Sequence, residues 1–148
     1  MNQHKYLRAY MAGIVVPTIV IVLSVTAFCI ARYAYDFSEP LERVMIFPMA
    51  VVPNLWGLWN MLWLASHARA HLAVGVHGAL LPFLLLPIGA TVARCFGVLT
   101  FGPTSATWFN ACSVPYALIA VGFAAAVAAY YLVWKYIVGF LNRTLGIA

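Results

Sequence analysis

The feature that most constrains this chain is a set of apolar runs, each long enough to cross a lipid bilayer. The first extends from Ala9 to Ala31 without a charged residue, and about 20 apolar residues span the hydrocarbon core as a helix. Of all 148 residues, 66% are hydrophobic and only 7% are charged, too few to cover a water-soluble core. Because the runs are too long for barrel strands, the sequence predicts an all-α polytopic membrane protein.

Four predicted transmembrane helices form a single domain, residues 1–148. They cover residues 9–32, 39–65, 73–96 and 113–138. Short connections predict an antiparallel up-down bundle. Prolines, such as Pro82 and Pro87 in the third helix, are expected to kink the second and third helices. Residues 97–112 are predicted to be a loop at the interface or folded back against the helices, and residues 139–148 a surface tail.

The net charge of +5 indicates membrane flanks rather than nucleic-acid binding, because the basic residues are scattered singly. With four spans, both termini and the second loop share one side. That side carries Lys5, Arg8, Arg69, Lys135 and Arg143. The opposite side carries Arg32, Arg43 and Arg94. This five-to-three excess predicts that both termini lie in the cytoplasm and that the protein lies in the inner (plasma) membrane.

A stripe on the predicted second helix marks the first candidate site. Spacings of three and four residues place on one face Pro53, Trp56, Asn60, Trp63 and His67. Amide and imidazole groups lose hydrogen bonds in hydrocarbon, so we expect this face to meet protein; Trp59 lies off it. His77 enters the third helix at nearly the depth of Asn60. The candidate pocket, for a small neutral or lipidic molecule, consists of Pro53, Trp56, Asn60, Trp63 and His77. The alternative is a plain interhelical hydrogen bond.

The histidines do not predict a metal site. His67 and His71 have the four-residue spacing of helical ligands, but no Cys, Asp or Glu is near enough to complete a shell. Only His77 lies clearly inside the membrane, which argues against haem. We therefore predict no metal and no cofactor. The absence of a nucleophile triad or phosphate-binding glycine loop leaves enzymatic activity without positive support.

The outer end holds a candidate ion pair and a candidate disulfide. Arg94 is expected to extend to the headgroups or to pair with an acidic residue of the first loop. The acidic residues of that loop are Asp36, Glu39 and Glu42. Cys95 and Cys112 flank the third loop and are placed to close it in an oxidising compartment; the alternative is that both are small buried hydrophobic residues.

Small residues on the fourth helix predict contact with another helix. They form two rows, Ala120, Ala124 and Ala128 in one and Gly122 and Ala126 in the other. Two rows exceed what one neighbour needs, which makes this helix the candidate for contact with another subunit, in a homo-oligomer or a larger membrane complex. The alternative is tight packing within the bundle. The expected partners are the lipid bilayer and either a second copy or another membrane protein. Small-molecule binding or transport is the alternative function, and a membrane redox enzyme is the third.

Overall fold

The computed structural model describes residues 4–35, 49, 51–109 and 112–147, and these are mostly helical. The helices before the sheet are α1 Lys5–Tyr35, α2 Val52–Ala70, α3 Val74–Ala79 and α4 Leu81–Cys95. A second helical tract follows the sheet and consists of α5 Tyr116–Val133, a π-helical turn Trp134–Val138 and α6 Gly139–Thr144.

Within the described residues, three stretches are long and apolar enough to cross a membrane: Lys5–Tyr35, Val74–Cys95 and Tyr116–Thr144. Large side chains on them are exposed, such as Leu23 in α1 and Val121 in α5, which are 64% and 66% exposed. Apolar surface of this extent is unfavourable in water but well solvated by hydrocarbon. The structure thus supports the predicted membrane location.

α1 and α2 pack closely against each other in opposite directions. Ala9 on α1 lies opposite Asn60 on α2, and Gly13 lies opposite Gly57. A Cβ atom at Gly13 would lie 2.6 Å from the carbonyl oxygen of Trp56. Glycine at this position therefore allows the two backbones to approach.

The described part of the second helix ends later than the sequence predicts. Residues 36–48 and 50, which contain the start of the predicted 39–65 helix, lie outside the described residues. α2 continues to Ala70 and is capped by His71, whose φ of 48° is left-handed. Pro53 occupies the first turn of α2, where a proline removes no intrahelical hydrogen bond.

The predicted third helix, residues 73–96, consists of two helices separated by Leu80. Pro82 lies in the first turn of α4, and Pro87 lies inside it. α3 packs against α5 and the π-helical turn. The core formed here contains Trp56, Leu81, Trp134 and Val138.

Residues 97–112 are not a plain loop, and the prediction of an all-α chain missed a small sheet. Three antiparallel strands pair in the order β1 Leu99–Phe101, β2 Ser105–Trp108 and β3 Cys112–Pro115. Leu99 pairs with Trp108, and Trp108 pairs with Cys112. The Tyr116 hydroxyl donates to the Gly102 carbonyl at 2.7 Å. This hydrogen bond links the start of α5 to the turn between β1 and β2.

The predicted helix 113–138 begins and ends later in the structure. Residues 113–115 belong to β3, and the helical tract continues past Val138 to Thr144. The predicted surface tail instead folds into the bundle: Asn142 is fully buried, and Ile147 packs against Ala9 and Ala12. The Arg8 guanidinium donates to the Leu145 carbonyl at 3.0 Å. The first turns of α1 and the end of α6 therefore meet at one end of the bundle.

Candidate functional site

A reciprocal amide pair forms the polar centre of the bundle. The Asn60 side-chain nitrogen donates to the Asn142 side-chain oxygen at 2.8 Å and to the Ala9 carbonyl at 2.7 Å. The Asn142 nitrogen donates back to the Asn60 oxygen at 3.1 Å. Both side chains are 0% exposed. The pair therefore joins α1, α2 and α6 through buried hydrogen bonds, which are strong where water is excluded.

A second reciprocal contact joins α2 to α3. The Trp59 indole N–H donates to the His77 carbonyl at 2.9 Å, and the His77 Nε2 lies 3.0 Å from the Trp59 carbonyl oxygen. Because a carbonyl can only accept, Nε2 carries the imidazole proton. The two rings are stacked with centroids 4.8 Å apart. His77 is thus held by its backbone, its ring face and its ring nitrogen at once.

Aromatic rings fill the space between α2 and the second helical tract. The ring of Trp56 lies 5.0 Å from that of Tyr130 and 5.4 Å from that of Trp134. The indole N–H groups of Trp56 and Trp134 are buried without a well-formed hydrogen bond, although the Tyr130 hydroxyl lies beside Trp56. These rings contribute by packing and ring–ring contact rather than by hydrogen bonding.

At the end of α2, two side chains converge on one carbonyl. The Trp63 indole N–H donates to the Leu72 carbonyl at 3.0 Å, and the His67 Nδ1 lies 3.3 Å from the same oxygen. His67 therefore contacts the turn that follows α2, and His71 is exposed in the same turn. No group of three His, Cys, Asp or Glu residues that could hold a metal occurs in the described part of the chain.

In the structure, the predicted pocket residues contact different parts of the protein. Asn60 faces α1 and α6, His77 faces Trp59, and Trp63 faces the turn after α2. Pro53 is half-buried at the start of α2. The polar groups do face protein, as the stripe predicts: Asn60 and His77 are 0% and 4% exposed. Each of these two polar side chains is hydrogen-bonded to a different part of the protein.

Sequence reasoning missed the two partners that matter most. Helical spacing places Trp59 off the stripe, yet in the structure Trp59 binds His77, because α2 has protein on more than one side. Asn142 lies in the predicted surface tail, residues 139–148, and is buried in the structure. Its position offers a usable signal. If one helix continues from Lys135 through Arg143, a lone amide lies among apolar residues, where it needs a partner.

The predicted ion pair and the predicted disulfide both involve the end of α4 next to the sheet. The Arg94 guanidinium lies 5.8 Å from the centroid of the Phe101 ring, a cation–π contact with β1. The acidic residues proposed as its partners, Asp36, Glu39 and Glu42, lie outside the described residues. Cys95 and Cys112 are exposed free thiols in this structure, so the predicted disulfide is not formed in it.

An apolar cavity lies elsewhere, between α1, the start of α2, and α5. This cavity, the α1–α2–α5 cavity, has a volume of ≈ 380 Å³. Its walls include Val16, Pro17, Val20, Phe28, Trp56 and Tyr130.

The predicted oligomer rows lie on different sides of α5. Gly122 and Ala126 border a shallow groove shared with Leu85 and Leu86 of α4. A Cβ atom at Gly122 would have no neighbour within 4 Å. Ala120, Ala124 and Ala128 form the second row, the Ala120/Ala124/Ala128 row, on the other side, and all three are exposed in the described structure.

Comparison of this chain with known protein families, with curated proteins and with solved structures finds no match.

Proposed function

We propose that this chain is a membrane-embedded assembly subunit that meets a second copy or another membrane protein through the Ala120/Ala124/Ala128 row. The observation that carries the proposal is that no residue of α5 is buried by the described part of the chain. A helix that spans a membrane and leaves a small-residue row open presents a surface on which another helix can approach closely.

The distribution of large side chains supports the same function. The bulky core residues Trp56, Leu81 and Trp134 lie in or beside α2, α4 and the π-helical turn. Between α4 and α5, Phe83 and Phe123 meet edge to face at 4.9 Å. On the side that faces α4, α5 is therefore already in contact with this chain. We assign the opposite side of α5 to the partner.

A four-span topology with both termini in the cytoplasm of an inner-membrane protein is part of the proposal. Three crossings would place the termini on opposite sides, but the Arg8–Leu145 hydrogen bond favours an even number. α2 supplies the fourth crossing, because it packs along α1 in the opposite direction. The excess of basic residues on the shared side supports a cytoplasmic location.

The test compares two identical substitutions on one helix. Ala124→Leu places a large side chain in the middle of the row, and Ala125→Leu places the same side chain at an exposed neighbour about 100° around the helix. Native mass spectrometry in a mild detergent measures the assembly. We expect the wild type and Ala125→Leu to give the same assembled species, and Ala124→Leu to lose at least tenfold of it.

Two outcomes would contradict the proposal. One is a wild-type protein that is monomeric and carries no other membrane protein after extraction. The other is equal assembly of Ala124→Leu and Ala125→Leu. A single protein mass in the wild-type species identifies a homo-oligomer, and a second mass identifies a complex with another subunit.

Binding of a lipidic molecule is the second candidate function, supported by the α1–α2–α5 cavity rather than by Asn60 and His77. Both of those side chains are already hydrogen-bonded within the chain.

A further inference from the structure

The shape of the α1–α2–α5 cavity is elongated along the first membrane-spanning helix. On α1 its lining extends from Val16 to Phe28, which at 1.5 Å per residue is about 18 Å. One leaflet of a bilayer contributes roughly 15 Å of hydrocarbon, half of the usual ≈ 30 Å. The cavity therefore has the length of one acyl layer and lies parallel to the chains in it.

The chemistry of the lining selects hydrocarbon. Among the described residues that form the wall, none is charged, and the side chains with polar atoms are Ser24, Trp56 and Tyr130. The rest are aliphatic groups, proline, methionine and phenylalanine. An ion or a hydrogen-bonding solute would lose its hydration here without adequate replacement, whereas a hydrocarbon chain would gain dispersion contacts along the apolar wall.

The surroundings decide what can occupy such a space. Apolar cavities of about 150 Å³ stay free of water and accept small hydrocarbons, and ligand pockets in proteins are typically 300–1,000 Å³. At ≈ 380 Å³, this cavity is in the latter range. Both α1 and the tract containing α5 are apolar enough to cross a membrane, so the neighbouring solvent is itself made of acyl chains.

We propose that the α1–α2–α5 cavity holds one acyl chain of a membrane phospholipid from the leaflet at the Tyr35 end of α1. The chain enters beside Phe28 and runs along α1. Its methyl end reaches the Trp56 and Tyr130 rings, whose centroids are 5.0 Å apart. The bound lipid fills a gap between three helices that the side chains of the described residues leave open, and so becomes part of the bundle.

The test uses two valines of α1. Val25 lines the cavity, whereas Val22 is 59% exposed and does not line it. Val25→Trp places a large ring in the cavity, and Val22→Trp places the same ring in the surrounding lipid. Each variant is reconstituted in nanodiscs of palmitoyl-oleoyl phosphatidylcholine, returned to mild detergent, and weighed by native mass spectrometry.

We expect the wild type and Val22→Trp to retain one phosphatidylcholine per chain and Val25→Trp to retain at least tenfold less. Retention by Val25→Trp equal to that by Val22→Trp would overturn the proposal, and so would a wild type that retains none. If Val25→Trp lowers the melting temperature so far that it cannot be purified, Ala129→Phe, which fills the cavity from α5, replaces it under the same criteria.

The lipid proposal can be separated from the assembly proposal. The retained lipid is also counted in the Ala124→Leu variant. Because this variant is expected not to assemble, its retained lipid cannot be phospholipid trapped between subunits. One lipid per chain in that background supports the cavity whether or not the wild type assembles. Loss of all bound lipid there overturns the cavity as its site.

Discussion

At the scale of single residues, a few hydrogen-bonding side chains hold the helices together, because the surrounding hydrocarbon cannot form hydrogen bonds. In hydrocarbon, two apolar helix surfaces gain little by meeting, because lipid tails are equally apolar. The Asn60–Asn142 pair adds a directional contact, since each amide completes the other across 82 residues of sequence. The Trp59–His77 contact does the same for α2 and α3.

Removing one amide of the pair should cost more than removing both. Asn60→Leu leaves the buried Asn142 amide without its partner, and an unsatisfied buried group costs about 1–3 kcal/mol. Asn142→Leu should behave similarly. The double variant should be closer to the wild type than the sum of the two. The free energy of unfolding in mixtures of mild detergent and sodium dodecyl sulfate measures each change.

The control for this series is Thr91→Val, because the exposed Thr91 hydroxyl bonds only to a carbonyl of its own helix, that of Pro87. It should change the free energy of unfolding by less than about 0.5 kcal/mol. Strict additivity of the two asparagine variants would show that the two amides act independently and would contradict the pairing.

At the scale of helices and strands, sequence periodicity predicts the long, regular helices but not the short strands. The run around α1 and the buried face of α2 at Trp56, Asn60 and Trp63 follow directly from helical spacing. The sheet was missed because its strands contain three or four residues each, too short for an alternating pattern. Its signal was local: threonine and aromatic residues on both sides of Gly102-Pro103.

The end of the last helical tract was missed for a different reason. The sequence prediction ends the fourth helix near Val138 and interprets residues 139–148 as a surface tail. A glycine at position 139 is typical of a helix end. In the structure a Cβ atom at Gly139 would lie 3.3 Å from Val74 of α3. This glycine serves close packing rather than termination. Sequence spacing does not reveal that difference, because the neighbouring helix comes from a distant part of the chain.

The packing of α3 on the π-helical turn leads to a prediction at this scale. A Cβ atom at Gly78 would overlap the side chain of Trp134, which is 0% exposed. Gly78→Ala should therefore lower the free energy of unfolding by about 1–3 kcal/mol, the usual cost of overpacking. Thermal unfolding in mild detergent, followed by circular dichroism, measures the shift.

Gly122→Ala is the matched control, because a Cβ atom there meets nothing within 4 Å. It should leave stability unchanged or raise it by up to about 1 kcal/mol through the better helix propensity of alanine. Equal destabilisation by the two variants would mean that α3 does not pack on Trp134 in this way.

At the scale of the whole molecule, the two ends of the described chain meet. Arg8 binds the Leu145 carbonyl, and Ile147 packs on Ala9 and Ala12. The sheet lies at the opposite end, between the end of α4 and the start of α5. This arrangement makes the side of the membrane on which each end lies directly testable.

Single cysteines in a background without Cys29, Cys95 and Cys112 should report the topology. We expect His4→Cys and Thr144→Cys to react with a membrane-impermeant maleimide only after intact cells are permeabilised. Thr104→Cys, in the turn between β1 and β2, should react before permeabilisation. Opposite behaviour of His4→Cys and Thr144→Cys would contradict the even number of crossings.

The buried amide pair also has a consequence for biosynthesis. Asn60 leaves the ribosome 82 residues before Asn142, an interval of roughly 4–16 s at the usual 5–20 residues per second. During that time the Asn60 amide lacks its partner, because Asn142 has yet to be translated. The bundle can close only as the last helical tract arrives, so a nascent chain stalled before that tract offers an unmatched amide to whatever other helix is inserted nearby.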